Sequence, residues 1–245
     1  MLKTADFVIA KNRALNQNVY EMVLTGAADF SVAAGQFVNL SLPGKFLRRP
    51  FGVCDYTADS ITLLYKVAGG GTADMAAMAA GTVLNVMLPL GNGFTLGAIP
   101  AGTGDVLLAA GGTGAAPIYC LTKTLIERGF RPRVALGFNG RDDAFYLAEF
   151  RALAADVEVY SVSGELGEKG FPTRALEKEP GYYFACGPQG MLDAFAGTGL
   201  PGQLSYESRM GCGFGVCMGC TMVTRKGARR ICADGPVFLA EDILL

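Results

Sequence analysis

Toward its C-terminal end the chain reads Tyr206-Glu-Ser-Arg-Met-Gly-Cys212-Gly-Phe-Gly-Val-Cys217-Met-Gly-Cys220, and Cys232 follows after eleven intervening residues. Four of the seven cysteines fall here, spaced C-x4-C-x2-C-x11-C. Thiolates this close in sequence converge on one centre only if the backbone wraps around it, and Gly211, Gly213, Gly215 and Gly219 admit the positive φ angles that such wrapping takes. The spacing is that of a [2Fe-2S] cluster, so Cys212, Cys217, Cys220 and Cys232 are the candidate metal ligands. A structural zinc site more often shows two C-x2-C knuckles or paired Cys and His ligands; this chain has one knuckle and no histidine. Zinc, and unrelated or disulfide-bonded cysteines, stand as the competing readings.

Composition narrows the rest. The other cysteines, Cys54, Cys120 and Cys186, are scattered, which suits ligand cysteines in a reducing compartment. Without histidine there is no His-based triad and no His-ligated metal, so an enzymatic role requires a cofactor to carry the chemistry. A length of 245 residues allows one large domain or two modest ones with a small appendage, and 51% hydrophobic residues argue against global disorder. A net charge of −1 gives no electrostatic reason to expect nucleic acid or an anionic membrane as partner. The opening MLKTADFVIAKN lacks the apolar stretch of a signal peptide, and no apolar run reaches membrane-spanning length. The expectation is a cytoplasmic protein.

Residues 1–100 read as strands. Asp6 to Ala10, Val19 to Leu24, Gln36 to Leu42, Phe51 to Tyr56, Ile61 to Val67 and Val83 to Leu88 are rich in Val, Ile, Phe, Tyr and Leu, with Gly, Pro, Asn and Asp between them. Six short strands predict an antiparallel barrel, which removes exposed edges by closing. Thr72 to Ala79 predicts one short helix with Thr72 as N-cap. Arg48-Arg49-Pro50-Phe51-Gly52 sets cations beside a Pro-restricted strand start, where a guanidinium can grip a phosphate; a solvated edge is the plainer reading. Tyr65-Lys66-Val67-Ala68-Gly69-Gly70-Gly71-Thr72 runs from a strand through three glycines into a helix start, which is either an anion site or a flexible turn. Leu88 to Phe94 forms a tight turn out of the barrel.

Over residues 101–202 the period changes. Val106 to Ala110 is a continuous apolar run, as in a buried parallel strand, and ends in Gly111-Gly112-Thr113-Gly114-Ala115-Ala116-Pro117 before a helical stretch to about Arg128. Strand and helix then alternate through Arg133 to Phe138, Ala144 to Leu153, Val157 to Val162, Thr173 to Lys178, Tyr182 to Cys186 and Pro188 to Ala196. That predicts a parallel sheet covered on both faces, with dinucleotide binding at the strand C-termini. The glycine turn is not a strict G-x-G-x-x-G, because Pro117 replaces the third glycine. Cys186, at a strand end before Gly187 and Pro188, either faces a nicotinamide ring as the candidate catalytic group or is a small buried hydrophobe. Residues 203–245 form the cysteine module, so the fold class is a β barrel plus an α/β unit with a small appendage.

Taken together, the Arg-Pro strand, the glycine-to-helix turn, the GGTGAAP turn and the ACGP strand end resemble the ferredoxin-NADP reductase superfamily. With the four cysteines and Cys232-Ala-Asp-Gly-Pro-Val-Phe238 added, the whole chain resembles the electron-transfer subunits of NAD-dependent (class 1B) dihydroorotate dehydrogenases. That resemblance implies an FAD-binding barrel, an NAD-binding domain and a [2Fe-2S] module. It further implies a separate FMN-containing catalytic subunit that oxidises dihydroorotate to orotate in pyrimidine biosynthesis, assembled as a heterotetramer with two of each subunit. By match to the family motifs, Arg49 holds the FAD pyrophosphate, Pro50, Phe51 and Gly52 border the flavin, Leu64, Tyr65 and Lys66 run beside it, and Gly71 and Thr72 take the phosphates. Gly112 and Gly114, with Cys186, Gly187 and Pro188, line the NAD site. One departure is Gly52, where the family commonly carries a Ser or Thr whose hydroxyl can reach the flavin.

A flavin accepts two electrons as hydride and exchanges them singly, whereas such a cluster moves one at a time, so both in one chain make a converter. Between Arg209 and Ile231 there is no acidic residue, while Arg209, Arg225, Lys226, Arg229 and Arg230 are basic: a solvated hairpin turning at Lys226 and Gly227, or a docking face for the catalytic subunit. Phe214, Val216 and Met218 either centre that face or pack inward over the cluster. The runner-up reading is a flavin reductase subunit of another complex, such as a ferredoxin-NADP oxidoreductase or a sulfhydrogenase; a zinc-stapled interaction module is the non-enzymatic one. Arg141 against Asp142 and Asp143 leaves NADP and NAD both open, and the resemblance favours NAD.

Overall fold

A computed structural model describes residues 3–26, 30–154 and 156–245. Strands β1 (Lys3–Ala14), β2 (Val19–Thr25), β3 (Phe37–Leu40), β4 (Arg49–Tyr56), β5 (Ser60–Lys66) and β6 (Val83–Leu90) close into an antiparallel barrel in the order β1-β2-β5-β4-β3-β6. The period-two pattern explains the closure: in β6, Leu84, Val86 and Leu88 point inward between more exposed neighbours. Phe7, Ile9, Met22, Leu24, Ile61 and Leu63 fill the same interior without solvent exposure, each contributing about 1.5–3 kcal/mol. β1 runs past the expected Asp6 to Ala10 at both ends, because pairing with β2 and with β6 carries its polar termini.

Helix α1 (Gly70–Ala76) adds Met75 to the barrel core. Its N-cap is Gly69, which corrects the expectation for Thr72: that residue sits a turn inside, and its Oγ1 accepts from the amides of Ala68 (2.9 Å) and Gly69 (3.2 Å). The hydroxyl thus caps backward, as the second half of a capping box does.

The second unit is a seven-stranded sheet built from β7 (Val106–Gly111), β8 (Arg133–Phe138), β9 (Asp156–Ser161), β10 (Glu168–Lys169), β11 (Tyr182–Cys186), β12 (Gly202–Ser205) and, beyond the short hairpin β13 (Thr221–Thr224) and β14 (Gly227–Arg230), β15 (Val237–Leu239). The order is β10-β9-β8-β7-β11-β12-β15, parallel except for β15, which runs antiparallel to β12. Helices α2 (Ala115–Glu127) and α3 (Leu147–Leu153) cover one face; α4 (Gln189–Ala196) and the 3-10 turn Pro172–Lys178 cover the other. The helix expected from Ala144 starts only at Leu147, because Tyr146 takes a left-handed φ of 61°. Thr173 to Lys178 winds as a 3-10 turn rather than an α-helix.

The chain works outward from β7 in both directions, so β7 and β11 flank the point where strand order reverses, the place where such sheets bind ligands. The barrel is braced against this sheet by Glu21, whose carboxylate lies 2.7 Å from Lys11 Nζ and 3.1 Å from Arg13 Nε and accepts from Tyr146 Oη at 3.0 Å. Burial pushes the Glu21 pKa up, but the hydrogen bonds from Arg13, Lys11 and Tyr146 outweigh it and hold the group at about 2, against 4.5 ordinarily. A depressed carboxylate stabilises the fold above its unfolded pKa, and that contribution fades as pH falls toward the folded value. Glu21→Gln is therefore expected to cost ~1–3 kcal/mol at pH 7. The deficit should shrink as pH drops from about 4.5 toward 2; urea titrations at pH 7 and pH 3 check both statements.

Candidate functional site

Residues 206–220 form neither strand nor helix; they are a loop shaped by glycine and by sulfur. Gly213 and Gly215 adopt φ of 79° and 91°, turning backbone amides toward the thiols. Gly215 N–H donates to Cys232 Sγ at 3.1 Å, and the amides of Val216 and Cys217 donate to Cys212 Sγ at 3.3 and 3.4 Å. The sulfurs are arranged two and two. Cys212 N–H donates to Cys217 Sγ, and Cys232 N–H to Cys220 Sγ, each at 3.4 Å. Burial pushes the Cys212 thiol up, yet the amides of Cys217, Phe214 and Val216 outweigh it and bring it down to about 6. Among the described residues no three His, Cys, Asp or Glu side chains gather as a single-ion site. Two pairs of sulfurs, each sulfur accepting at least one backbone amide, are the donor set a [2Fe-2S] cluster takes, so these residues fit that group.

A clasp holds the loop. Arg230 pairs with Asp234 through Nε (3.0 Å) and Nη2 (3.1 Å), and its Nη1 donates to Gly215 O at 2.7 Å. The Arg230 hydrogen bonds bring Asp234 down to about 2. Phe214, Val216 and Met218 are 43%, 72% and 53% exposed, so of the two readings they face outward. Of the basic flank, Lys226 pairs with Asp242 at 2.9 Å and Arg230 with Asp234. The hairpin turns at Arg225 and Lys226, with Gly227 already paired opposite Thr224.

On the barrel, the two adjacent arginines separate in role. Arg48 is consumed by structure, donating to Asn39 O (3.2 Å), Asn85 O (3.1 Å) and Asn85 Oδ1 (2.6 Å). Arg49 lies across the start of α1, its Nη1 donating to the carbonyls of Leu47 and Arg48, and a Cβ on Gly71 would stand 2.8 Å from its Nε, so glycine there lets the guanidinium rest against the helix start. Guanidinium over free helix amides is a phosphate-binding pair. Pro50 and Gly52 lie on the same strand, and a Cβ at 52 would make ordinary contact with Pro117 (3.5 Å). Phe51 meets Tyr65 edge-on at 5.9 Å. Tyr65 itself points into the barrel, its Oη donating to Asn12 Oδ1 at 2.9 Å, while Leu64 packs toward the sheet and Lys66 is exposed. From Tyr65, therefore, only backbone is offered outside the barrel.

The glycine turn after β7 and the Cys186-Gly187-Pro188 turn after β11 meet backbone to backbone. A Cβ on Gly114 would stand 2.2 Å from Cys186 O, and one on Gly187 2.9 Å from Gly111 N. Gly112, at φ 53°, faces open space. The two turns meet at the switch point of the sheet, where folds of this kind bind ligands. Burial pushes the half-buried Cys186 thiol up to about 12, partly offset by Ser205, so it is an uncharged group at the mouth of this crevice. Thr72 keeps its hydroxyl for its own helix turn, as described above.

Sequence reasoning missed Asn92. Read as a linker residue, it donates to Asp234 O (3.0 Å) and Val237 O (3.2 Å) and accepts from Val237 N–H (3.2 Å), pinning the segment that follows Cys232 to the barrel exit. Its flanking glycines were the available signal, since Gly91 turns at φ 67° against Pro236.

Residues 207–244 match the family model for the iron-sulfur cluster binding domain of dihydroorotate dehydrogenase B. Over the full length of both chains, the electron transfer subunit of dihydroorotate dehydrogenase B (NAD(+)) from Listeria monocytogenes is 36% identical, and that from Lysinibacillus sphaericus 35%. The chain belongs to this family of electron transfer subunits. It is an oxidoreductase subunit, as the resemblance implied. Among solved structures, that of the NADH-dependent reduced ferredoxin-NADP oxidoreductase superposes with a TM-score of 0.88 at 27% identity, covering 99% of this chain and 91% of that one. Phthalate dioxygenase reductase shares the fold, with a TM-score of 0.67 at 20% identity over 79% of this chain and 64% of its own. Identity over the full length places the chain with the dihydroorotate dehydrogenase subunits rather than with the runner-up oxidoreductases.

Proposed function

We propose that the chain passes electrons from a dihydroorotate-oxidising, FMN-containing catalytic subunit through a [2Fe-2S] cluster and FAD to NAD+, in an assembly of two of each subunit. The observation that carries this reading is that β4 adjoins both other sites. Gly52 abuts Pro117 of the glycine turn, and Pro50 pairs with Asn39 of β3, whose side chain reaches the cysteine loop. In this reading residues 1–100 bind FAD, 101–202 bind NAD and 203–245 carry the cluster.

Bound FAD supplies hydride exchange and the cluster single-electron transfer. The chain's own residues do the placing. Arg49 and the Gly70 and Gly71 amides hold the FAD pyrophosphate, Pro50 to Gly52 and the backbone of Leu64 to Lys66 border its ring, and the two glycine turns hold the dinucleotide with Cys186 against the nicotinamide. Cys212, Cys217, Cys220 and Cys232 ligate the irons. Exposed Phe214, Val216 and Met218, on a module that carries basic and no acidic residues between Arg209 and Ile231, present the apolar centre of a docking face for the catalytic subunit. Arg141 is committed to Glu165 O at 2.7 Å, which removes it from a 2′-phosphate and favours NAD. No helix among the described residues is long and apolar enough to cross a membrane.

Purification with native partners tests the reading. A yellow-brown complex with flavin, iron and sulfide that reduces NAD+ on addition of dihydroorotate is expected. Colourless protein with stoichiometric zinc, or co-purification with a hydrogenase or glutamate-synthase-like subunit, would sink it.

A further inference from the structure

We propose that Asn39 is a positioning residue that fixes the first cluster ligand to the flavin-bearing barrel. The inference rests on the reading of Cys212 as a ligand. Asn39 lies mid-strand in β3, pairs with Pro50 of β4 on one side and Met87 of β6 on the other, and is 1% exposed. Its neighbours Val38 and Leu40 enter the barrel core, so its own side chain leaves by the outer face. There Nδ2 donates to Cys212 O at 3.3 Å, across 173 residues of sequence. Gly213 is shaped to this amide: its φ is 79°, and a Cβ would stand 2.4 Å from Asn39 Nδ2. Arg48 holds the strand from behind, donating to the Asn39 carbonyl and to both oxygens of Asn85.

The amide is costly to keep. Asn39 Oδ1 is the one fully buried side-chain polar atom among the described residues that has no hydrogen-bond partner. An apolar side chain there would remove that orphan, and would also withdraw the donor that Cys212 O receives from Asn39. If Asn39 served packing alone, leucine there would leave the protein at least as stable and everything else unchanged. What the amide does here is done by its Nδ2, which sets the height of Cys212 over β3, the strand beside Pro50. Groups that orient metal ligands from behind change metal retention by roughly 10- to 100-fold when removed.

Asn39→Leu in the full chain tests this. The expected result is a folded chain with unchanged bound FAD. It also includes a shifted cluster paramagnetic resonance spectrum and loss of iron to a chelator roughly 10-fold faster. Wild-type spectrum and chelation rate in Asn39→Leu would overturn the proposal. If Asn39→Leu fails to fold, Asn39→Ser is read by the same two measurements. A wild-type chain that holds no iron would instead refute the ligand reading beneath it, so the two failures are distinguishable.

Discussion

Cys217→Ala is expected to abolish the visible and paramagnetic signatures of the cluster while NADH still reduces the bound flavin at about the wild-type rate, within roughly two-fold. The first iron of a two-and-two ligand set would retain Cys212 alone. Cys217 is exposed, so its truncation removes little packing, and any loss of stability should come from the missing cluster rather than from a cavity. Cys220 and Cys232 are buried, and alanine there would mix ligand loss with a cavity. The hydride path proposed above runs through the turns after β7 and β11 and through β4, none of which touches Cys217 among the contacts described. Paramagnetic resonance on reduced protein, paired with stopped-flow flavin bleaching, reads both arms; an unaltered cluster signal would refute the ligand assignment.

Gly114→Ala is expected to strike the other half of the function. A methyl at this position would lie 2.2 Å from Cys186 O and 2.5 Å from its carbonyl carbon, so two backbone turns must part. Overpacking of this kind costs ~1–3 kcal/mol. The larger effect falls on NADH: a displacement of about 1 Å at a positioning element lowers kcat/KM by roughly 100-fold. Gly129→Ala, at a left-handed glycine beyond the end of α2 and outside both glycine turns, is the control. Its Cβ meets nothing within 4 Å, so only the left-handed φ is penalised, at ~1–2 kcal/mol. Steady-state kinetics with NADH and an artificial acceptor, alongside thermal melts, decide it. Gly114→Ala with wild-type kcat/KM would remove the two-turn crevice as the NAD site.

Features that depend on local pattern were legible in the sequence. Barrel strands announce themselves by period two, buried parallel strands by unbroken apolar runs such as Val106 to Ala110, and the cluster loop by spacing. What stayed hidden depends on partners far along the chain. β15 has three residues and exists because β12 offers an open edge. Asn39 and Asn92 read as ordinary turn or strand asparagines until the segments they hold, more than a hundred residues away, are folded against them. Arg48 and Arg49 are chemically alike in the sequence, and only the folded positions of Asn39 and Asn85 show that Arg48 ties β3 to β6. The inward turn of Tyr65 follows from strand register, which a one-residue slip would reverse.

The cysteine loop leaves the sheet at Ser205 and comes back at Val237, the residue that pairs with it. Loop entry and exit are thus neighbours in one ladder, and Asn92 rivets the exit to the barrel. Iron-sulfur carriers that shuttle on flexible tethers must search for their redox partner, and thickening the solvent slows them. A stapled handle has no search to make. Its internal electron transfer should be indifferent to solvent viscosity, and the only diffusive encounters left are those with NAD and with whatever docks on Phe214, Val216 and Met218.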